Sequence, residues 1–402
     1  MQKYCIFATY QTKYMNENFT MVAKTLFGFE DILAKELTQL GAMEVKTGVR
    51  VVSFVGDKGF MYKANLGIRT AIKILKPIKS FRITKEADLY NGVKAIKWEN
   101  YLKSEGSLAV DATVHHSIFT HSQYTALKTK DAIVDRFREN GGTRPDVDLR
   151  FPDLKINVHI DRQRCTISLD TSGESLHRRG YKTATNIAPI NEVLAAGLIM
   201  MSGWDGQTDF MDPMCGSGTI LAEAAMIACN IPPNLMRKEF AFERWQDWDV
   251  DLFEKIEESL LKKTRDFHYK ILGYDKSPSA IQKAKENIKN AHLDEFIHIQ
   301  HEDFFKTQKA GDDKLHMVFN PPYGERLENL NVEEFYGNIG TTLKHGYPNT
   351  NAWLVTSNLE ALKFVGLRPS RKIKVFNAKL EARLVKYEMY EGSKKAKKQN
   401  QD

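Results

Sequence analysis

Cysteine is scarce in this chain. The four present, Cys5, Cys165, Cys215 and Cys229, stand in no CxxC or Cys/His pattern among 402 residues. A few scattered thiols in a chain this long do not resemble a disulfide-stapled secreted domain, and they predict reduced cysteines with no structural zinc or other metal. His115, His116 and His121 cluster near a strand end but lack the helical or hairpin spacing of metal ligands. No uninterrupted apolar run is long enough to span a bilayer. The segment through Met15 is broken by Gln, Thr, Lys and Asn, so it fails as the apolar core of a signal peptide. A cytoplasmic protein with no membrane partner is expected. Neither sign of charge dominates: 58 Lys and Arg against 51 Asp and Glu leave +7, a modest excess that suits a polyanionic partner but also occurs without one.

What is present, 42% hydrophobic and 27% charged residues, provides for a sizeable core, and the length exceeds what one core usually organises. Two or three domains are expected. Residues 1–20 are polar and without period and read as a frayed or disordered leader. Residues 21–73 read as a small α+β unit. It has a strand at 21–25, a helix from about 29 to 40 ended by Gly41, a strand at 49–54 and a helix from 61 to 72. Residues 74–171 read as a second α+β unit, with a strand at 108–114, a helix over 124–138 and two strands at 154–160 and 165–170. A polar, basic linker occupies 172–190 and a helix 191–201; from 208 to 320 strands and helices then alternate, as in a mostly parallel sheet covered on both faces. Residues 230–267 interrupt that alternation as an insertion, in which Trp245 and Trp248 read as core or lid residues. The alternating domain spans 191–390, and 391–402 read as a basic disordered tail.

The chemistry-bearing residues lie in the alternating domain. A short strand ends in Asp212-Pro213-Met214-Cys215-Gly216-Ser217-Gly218-Thr219, a glycine-rich turn that opens a helix and lets backbone amides approach a ligand closely. A GK[ST] ending and GxGxxG spacing are both absent, which removes a P-loop and a dinucleotide fingerprint. The next strand ends in Asp275, placed to accept hydrogen bonds from two ribose hydroxyls. The strand after it ends before Asp303, placed to accept an adenine amine while Phe304 packs against the ring. Singly, each carboxylate reads more simply as a helix cap. Three of them beyond consecutive parallel strands converge on one crevice.

Asn320-Pro321-Pro322-Tyr323 completes the set. The lone pair of an exocyclic base amine is delocalised into the ring, so a site must orient the nitrogen rather than simply deprotonate it. The Asn320 side-chain oxygen and the Pro321 carbonyl can accept its two hydrogens. Pro322 stiffens the loop, and Tyr323 offers a ring for base stacking. Together these motifs indicate base N-methylation. No cysteine follows Cys229, which counts against methylation at a pyrimidine C5, and Cys215 is expected to pack beneath the ligand. Arg178, Arg179, Tyr181 and Lys182 combine charge with an aromatic just before the catalytic domain; they could guide backbone phosphates, with an ordinary solvated linker as the alternative.

The turn at 212–219, Asp275, Asp303 and the run from Asn320 to Leu327 resemble the motifs of S-adenosylmethionine-dependent enzymes in the guanine-N2 RNA methyltransferase group. Residues from about 74 to 170, with the unit before them, are similar to a THUMP RNA-binding domain and its ferredoxin-like companion. The resemblance covers residues 21–389 and points most to bacterial enzymes that methylate a guanine N2 of 23S ribosomal RNA. It implies a doubly wound, Rossmann-like class I methyltransferase domain preceded by an α+β ferredoxin-like/THUMP arm. It also implies S-adenosylmethionine as the cofactor, large-subunit ribosomal RNA or its precursor particle as the partner, and RNA contact by the 178–182 segment. In some bacteria the enzyme is fused to a second methyltransferase, which a chain of this length is expected to lack. Three alternatives remain. A transfer RNA guanine-N2 methyltransferase shares the arm and the loop. A DNA adenine-N6 methyltransferase would use a similar loop without the arm. A non-catalytic RNA-binding assembly factor could keep the fold without binding the cofactor.

Overall fold

The computed structural model describes residues 17–141, 143–183, 189–322, 331–377 and 380–390. Alternation along the first strand, β1 (Phe19–Thr25), turns Met21, Ala23 and Thr25 inward. Phe19 and Thr20, read as leader, therefore belong to the sheet. Helix α1 (Glu30–Leu40) buries Leu33 and Leu37 and stops where Gly41 turns left-handed at φ +108°. A hairpin of β2 (Met43–Gly48) and β3 (Val51–Gly56) follows, where one strand was expected. Helix α2 (Lys58–Gly67) is capped by Asp57, whose side chain accepts from Phe60 N. It ends earlier than the expected helix over 61–72, because β4 (Ala71–Arg82) already claims that apolar run.

The chain continues through α3 (Glu86–Lys94), β5 (Ser107–His115), α4 (Ser122–Gly141), β6 (Asp146–Val147), β7 (Leu154–Asp161) and β8 (Arg164–Asp170). All eight strands form one sheet in the order β2-β3-β1-β4-β8-β7-β5-β6. Strand β4 crosses the boundary expected between residues 73 and 74, pairing antiparallel with β1 on one side and β8 on the other. The two sequence units are thus halves of a single arm.

The second sheet is built from β9 (Asp209–Asp212), β10 (Ile271–Asp275), β11 (Ile297–His301), β12 (Leu315–Phe319), β13 (Thr350–Thr356), β14 (Arg371–Asn377) and β15 (Leu380–Met389), in the order β11-β10-β9-β12-β13-β15-β14. The first five strands are parallel, and β15 runs antiparallel between β13 and β14. Its helices are α5 (Glu192–Ser202), α6 (Thr219–Ala228), α7 (Val250–Leu261), α8 (Pro278–Asn290) and α9 (Val332–Gly346). From β9 the chain winds outward to β11, then returns past β9 to β12. The switch point of this doubly wound sheet lies between β9 and β12, and ligands bind at the carboxyl ends of strands there.

The insertion is part of the arm's core rather than a free lid. Phe242, Trp248 and Phe253 surround Tyr62 of α2 with ring centroids 4.6, 5.2 and 5.8 Å away, and Trp245 is buried in the same cluster. A second wedge joins the two sheets: Phe29 is fully buried in the core of the second domain, where a Cβ on Gly197 would lie 1.9 Å from its ring. Among the described residues, no helix is long and apolar enough to cross a membrane.

Candidate active site

Parallel register aligns the ends of the central strands. Gly273 of β10 pairs with Asp212 of β9, Asp275 pairs with His301 of β11, and Met317 of β12 pairs with Met211. Asp212, Asp275, Asp303 and Asn320 are therefore gathered on one edge of the sheet, on both sides of the switch point.

The glycine turn is held by backbone hydrogen bonds. Cys215 N donates to the Tyr274 carbonyl at 2.8 Å, and Gly218 N to the Cys215 carbonyl at 2.8 Å. Gly216 (φ +56°) and Gly218 (φ +79°) adopt left-handed backbone that disfavours side chains. Gly218 precedes α6 without a side-chain cap, so the first amides of that helix keep no side-chain partner at this position. Asp275 ties turn to strand: one carboxylate oxygen accepts from Gly216 N at 3.0 Å and the other from Ser277 N at 2.9 Å. Gly273 allows α6 to lie close, since a Cβ there would stand 2.3 Å from Leu221 Cδ1.

Asp212 is 1% exposed, and its carboxylate accepts from Met214 N at 3.1 Å. Burial, with a smaller contribution from the Asp275 charge, pushes its carboxyl up to about 8, so an uncharged Asp212 predominates at neutral pH. Burial likewise pushes the Cys215 thiol well up, which disfavours its thiolate form.

Asn320 immediately follows β12 and is half-buried, Pro321 is buried and Pro322 half-buried. Tyr323 lies outside the described residues. Asp303 caps a short 3₁₀ turn through Phe305 N, and it remains half-buried at the edge. The expectation for Phe304 requires correction. It is 2% exposed and packs between Phe319 and Tyr347 in the core under the sheet edge, because the 3₁₀ turn rotates it inward and leaves Phe305 half-buried instead.

The linker reading is corrected at three positions. Arg179 is 1% exposed: its guanidinium donates to Glu223 at 3.1 Å, to the Leu176 and Arg69 carbonyls and to Asn234. Tyr181 is 2% exposed in the second domain's core, and Lys182 is paired with buried Glu192 at 2.8 Å. Charge that has a buried partner serves the fold rather than phosphate. Arg178 alone of the four is exposed.

Sequence reasoning missed Asn287. It is 1% exposed on α8, donates to the Ser217 carbonyl in the turn at 3.0 Å and accepts from Thr183 N of the linker at 3.1 Å. The signal was available: Ala280, Ile281, Ala284, Asn287 and Ile288 form the buried stripe of that helix, and one member is polar.

The chain is similar to known proteins along most of its length. The RMKL-like methyltransferase domain matches residues 179–386, the THUMP domain 84–170 and the RlmL ferredoxin-like domain 20–75. The chain is 37% identical to slr0064 of Synechocystis sp., provisionally named an RNA methyltransferase, over 92% of this chain and 96% of that protein. It is also 37% identical to the ribosomal RNA large subunit methyltransferase K/L of Syntrophotalea carbinolica over 90% of this chain, but spans 53% of that relative's length. Among solved structures, SMU.472, provisionally assigned as a methyltransferase and complexed with SAH, superposes with a TM-score of 0.84 at 28% identity, over 94% of this chain and all of that one. The chain belongs to the RMKL-like methyltransferase family, with S-adenosylmethionine as its cofactor.

Proposed function

We propose that this protein methylates the exocyclic N2 of a guanine in 23S ribosomal RNA. The observation that carries the reading is the placement of Asn320 and Pro321 at the end of β12, across the switch point from the glycine turn. The residues present fit the cofactor. Gly216 and Gly218 make a cradle that a Cβ would strain, the N-terminus of α6 opens on it, and Asp275 has a carboxylate at the strand end for ribose hydroxyls. Asp303 is the candidate acceptor for the adenine amine. S-adenosylmethionine, when bound, supplies an electrophilic methyl group.

The protein's own part is orientation. The Asn320 oxygen and the Pro321 carbonyl hold the two amine hydrogens, which favours a pyramidal nitrogen and turns its lone pair toward the cofactor side of the crevice. Guanine N7 is itself an acceptor, so a pair of acceptor oxygens favours N2 over N7. Tyr323 is the proposed stacking partner for the base, which has to be unpaired or flipped to enter. The THUMP match and the relatives' names favour RNA as substrate, and the K/L relatives favour the large ribosomal subunit over transfer RNA.

Single-turnover transfer of labelled methyl to 23S ribosomal RNA and to transfer RNA, followed by mass mapping of the product, tests this. N2-methylguanine in the ribosomal RNA is the expected result. Exclusive labelling of transfer RNA, of guanine N7 or of adenine would refute it, and failure to bind S-adenosylmethionine at all would favour an assembly factor.

A further inference from the structure

Where the linker, the start of β7 and the insertion meet, a cavity of about 640 Å³ opens to solvent, lined by eight Lys and Arg side chains against three Glu. Part of that charge is committed to the fold. Arg179 faces Glu223, Lys182 faces Glu192 and Arg244 faces Glu239, while Arg237 donates to four backbone carbonyls. Arg150 and Lys238 remain exposed at its rim, and so does Arg178, whose partner there is the equally exposed Glu174 at 3.3 Å.

The loop before β7 presents an aromatic ring to this rim. Asp148 accepts from the backbone amides of Arg150 at 2.8 Å and Phe151 at 3.0 Å, and Arg244 donates to the Phe151 carbonyl at 2.6 Å. The backbone is pinned from both sides, yet Phe151 is 59% exposed, with the Arg244 guanidinium 5.6 Å from its ring centroid. A fixed, solvent-facing ring among cations matches single-stranded nucleic acid: every base has a face to stack, and its neighbours bring phosphates. A duplex keeps those faces covered.

We propose that this junction cavity holds an unpaired stretch of the substrate RNA, with Phe151 stacked on one base and Arg150, Arg178 and Lys238 on the flanking phosphates. The proposal rests on the RNA methyltransferase reading and deepens it. The cavity wall is also tied to the chemistry: the linker runs on to Thr183, which meets Asn287, which in turn holds Ser217 of the cofactor turn. RNA seated here borders a segment two hydrogen bonds from that turn.

The test uses the full chain, a short fluorescent oligoadenylate and an RNA hairpin duplex of equal charge, with binding followed by anisotropy across a salt series. Phe151→Ala is expected to weaken oligoadenylate binding roughly tenfold, and Phe151→Trp to retain it, since any large ring can stack. Arg150→Ala/Lys238→Ala is expected to lower the salt slope by roughly 1.4, about 0.7 for each phosphate left without its cation. Unchanged oligoadenylate binding by Phe151→Ala, or an equal loss on the duplex, would overturn the proposal. Methyl transfer separates it from the reading beneath. A parent protein that methylates RNA while Phe151→Ala and Arg150→Ala/Lys238→Ala bind and react like it refutes the cavity alone. A parent that binds through Phe151 yet methylates no RNA supports the cavity and refutes the methyltransferase reading.

Discussion

Replacing Arg179 by alanine is expected to be among the most damaging single changes in the chain, although in sequence it looks like one more basic linker residue. Its guanidinium joins four segments: Glu223 on α6, the Leu176 carbonyl in the linker, the Arg69 carbonyl ahead of β4 and Asn234 in the insertion. Both side chains of the Arg179–Glu223 pair are fully buried, so the alanine variant leaves a carboxylate without its counter-charge in a dry site. Breaking a buried pair in this way costs about 3 to 5 kcal/mol. Burial already pushes the Glu223 carboxyl up and Arg179 opposes it, so removing the arginine raises it further. The variant can then escape part of the penalty by protonating Glu223. Its deficit should accordingly be smaller at pH 5.5 than at pH 8, and Arg179→Ala/Glu223→Gln should recover part of the loss at pH 8. Urea unfolding followed by tryptophan fluorescence at the two pH values measures both effects. A variant within about 1 kcal/mol of the parent, or a loss that does not depend on pH, would show that the pair does not bear on stability as argued.

The remaining predictions concern the crevice. Asp275→Ala should weaken S-adenosylmethionine binding about 10- to 150-fold, from charge-assisted hydrogen bonds worth roughly 1.5 to 3 kcal/mol, and it also releases Gly216 N; parental affinity in calorimetry would refute the ribose assignment. Asn320→Ala should bind cofactor normally but transfer methyl roughly two to three orders of magnitude more slowly in single turnover, and near-parental transfer would end the amine-orienting role. Asp212 titrates at about 3.9 when unfolded and at about 8 when folded, so its contribution is fully present below the lower value and is lost as pH rises across that window. Asp212→Asn should therefore flatten the fall of cofactor-free stability between about pH 4 and pH 8, and an unchanged pH profile of urea midpoints would contradict the buried, protonated state.

The glycine turn and the strand ends beside it were legible because their signals are local. Gly216 and Gly218 stand where the backbone turns left-handed, Asp275 ends β10, and Asp303 lies just beyond β11, in which apolar and polar residues alternate. What was hidden depends on partners distant in sequence. Arg179 and Tyr181 sit in a polar stretch, and only Glu223, 44 residues on, shows that the arginine is internal. Phe304 and Phe305 are adjacent, and which of them turns inward is set by the 3₁₀ turn at Asp303, which period alone does not reveal. The hairpin of β2 and β3 turns through Arg50 at φ +61°, a left-handed position that glycine or asparagine would have announced and arginine does not. The insertion looked like an interruption of the second domain because the sequence cannot show that its aromatics face Tyr62 of the first.

The aromatic core shared by Tyr62 and the insertion ties the arm to the catalytic domain. Removing residues 21–170 would strip Tyr62 from Phe242, Trp248 and Phe253, withdraw Phe29 from its seat against Gly197 and delete the Arg69 carbonyl that Arg179 needs. Phe242 and Trp245, and the partly buried Trp248 and Phe253, would be left facing water, and burial forfeited by a fully buried side chain of this size is worth roughly 1.5 to 3 kcal/mol. The isolated catalytic fragment is therefore expected to aggregate or to elute as a swollen species in size-exclusion chromatography, and a loss of RNA methylation in it would say nothing about RNA recognition. Point changes on the exposed face of the full chain address recognition instead, because they leave the shared core in place. A monodisperse fragment with the parent's affinity for S-adenosylmethionine would refute this, and would mean that the interface between arm and catalytic domain is dispensable despite its burial.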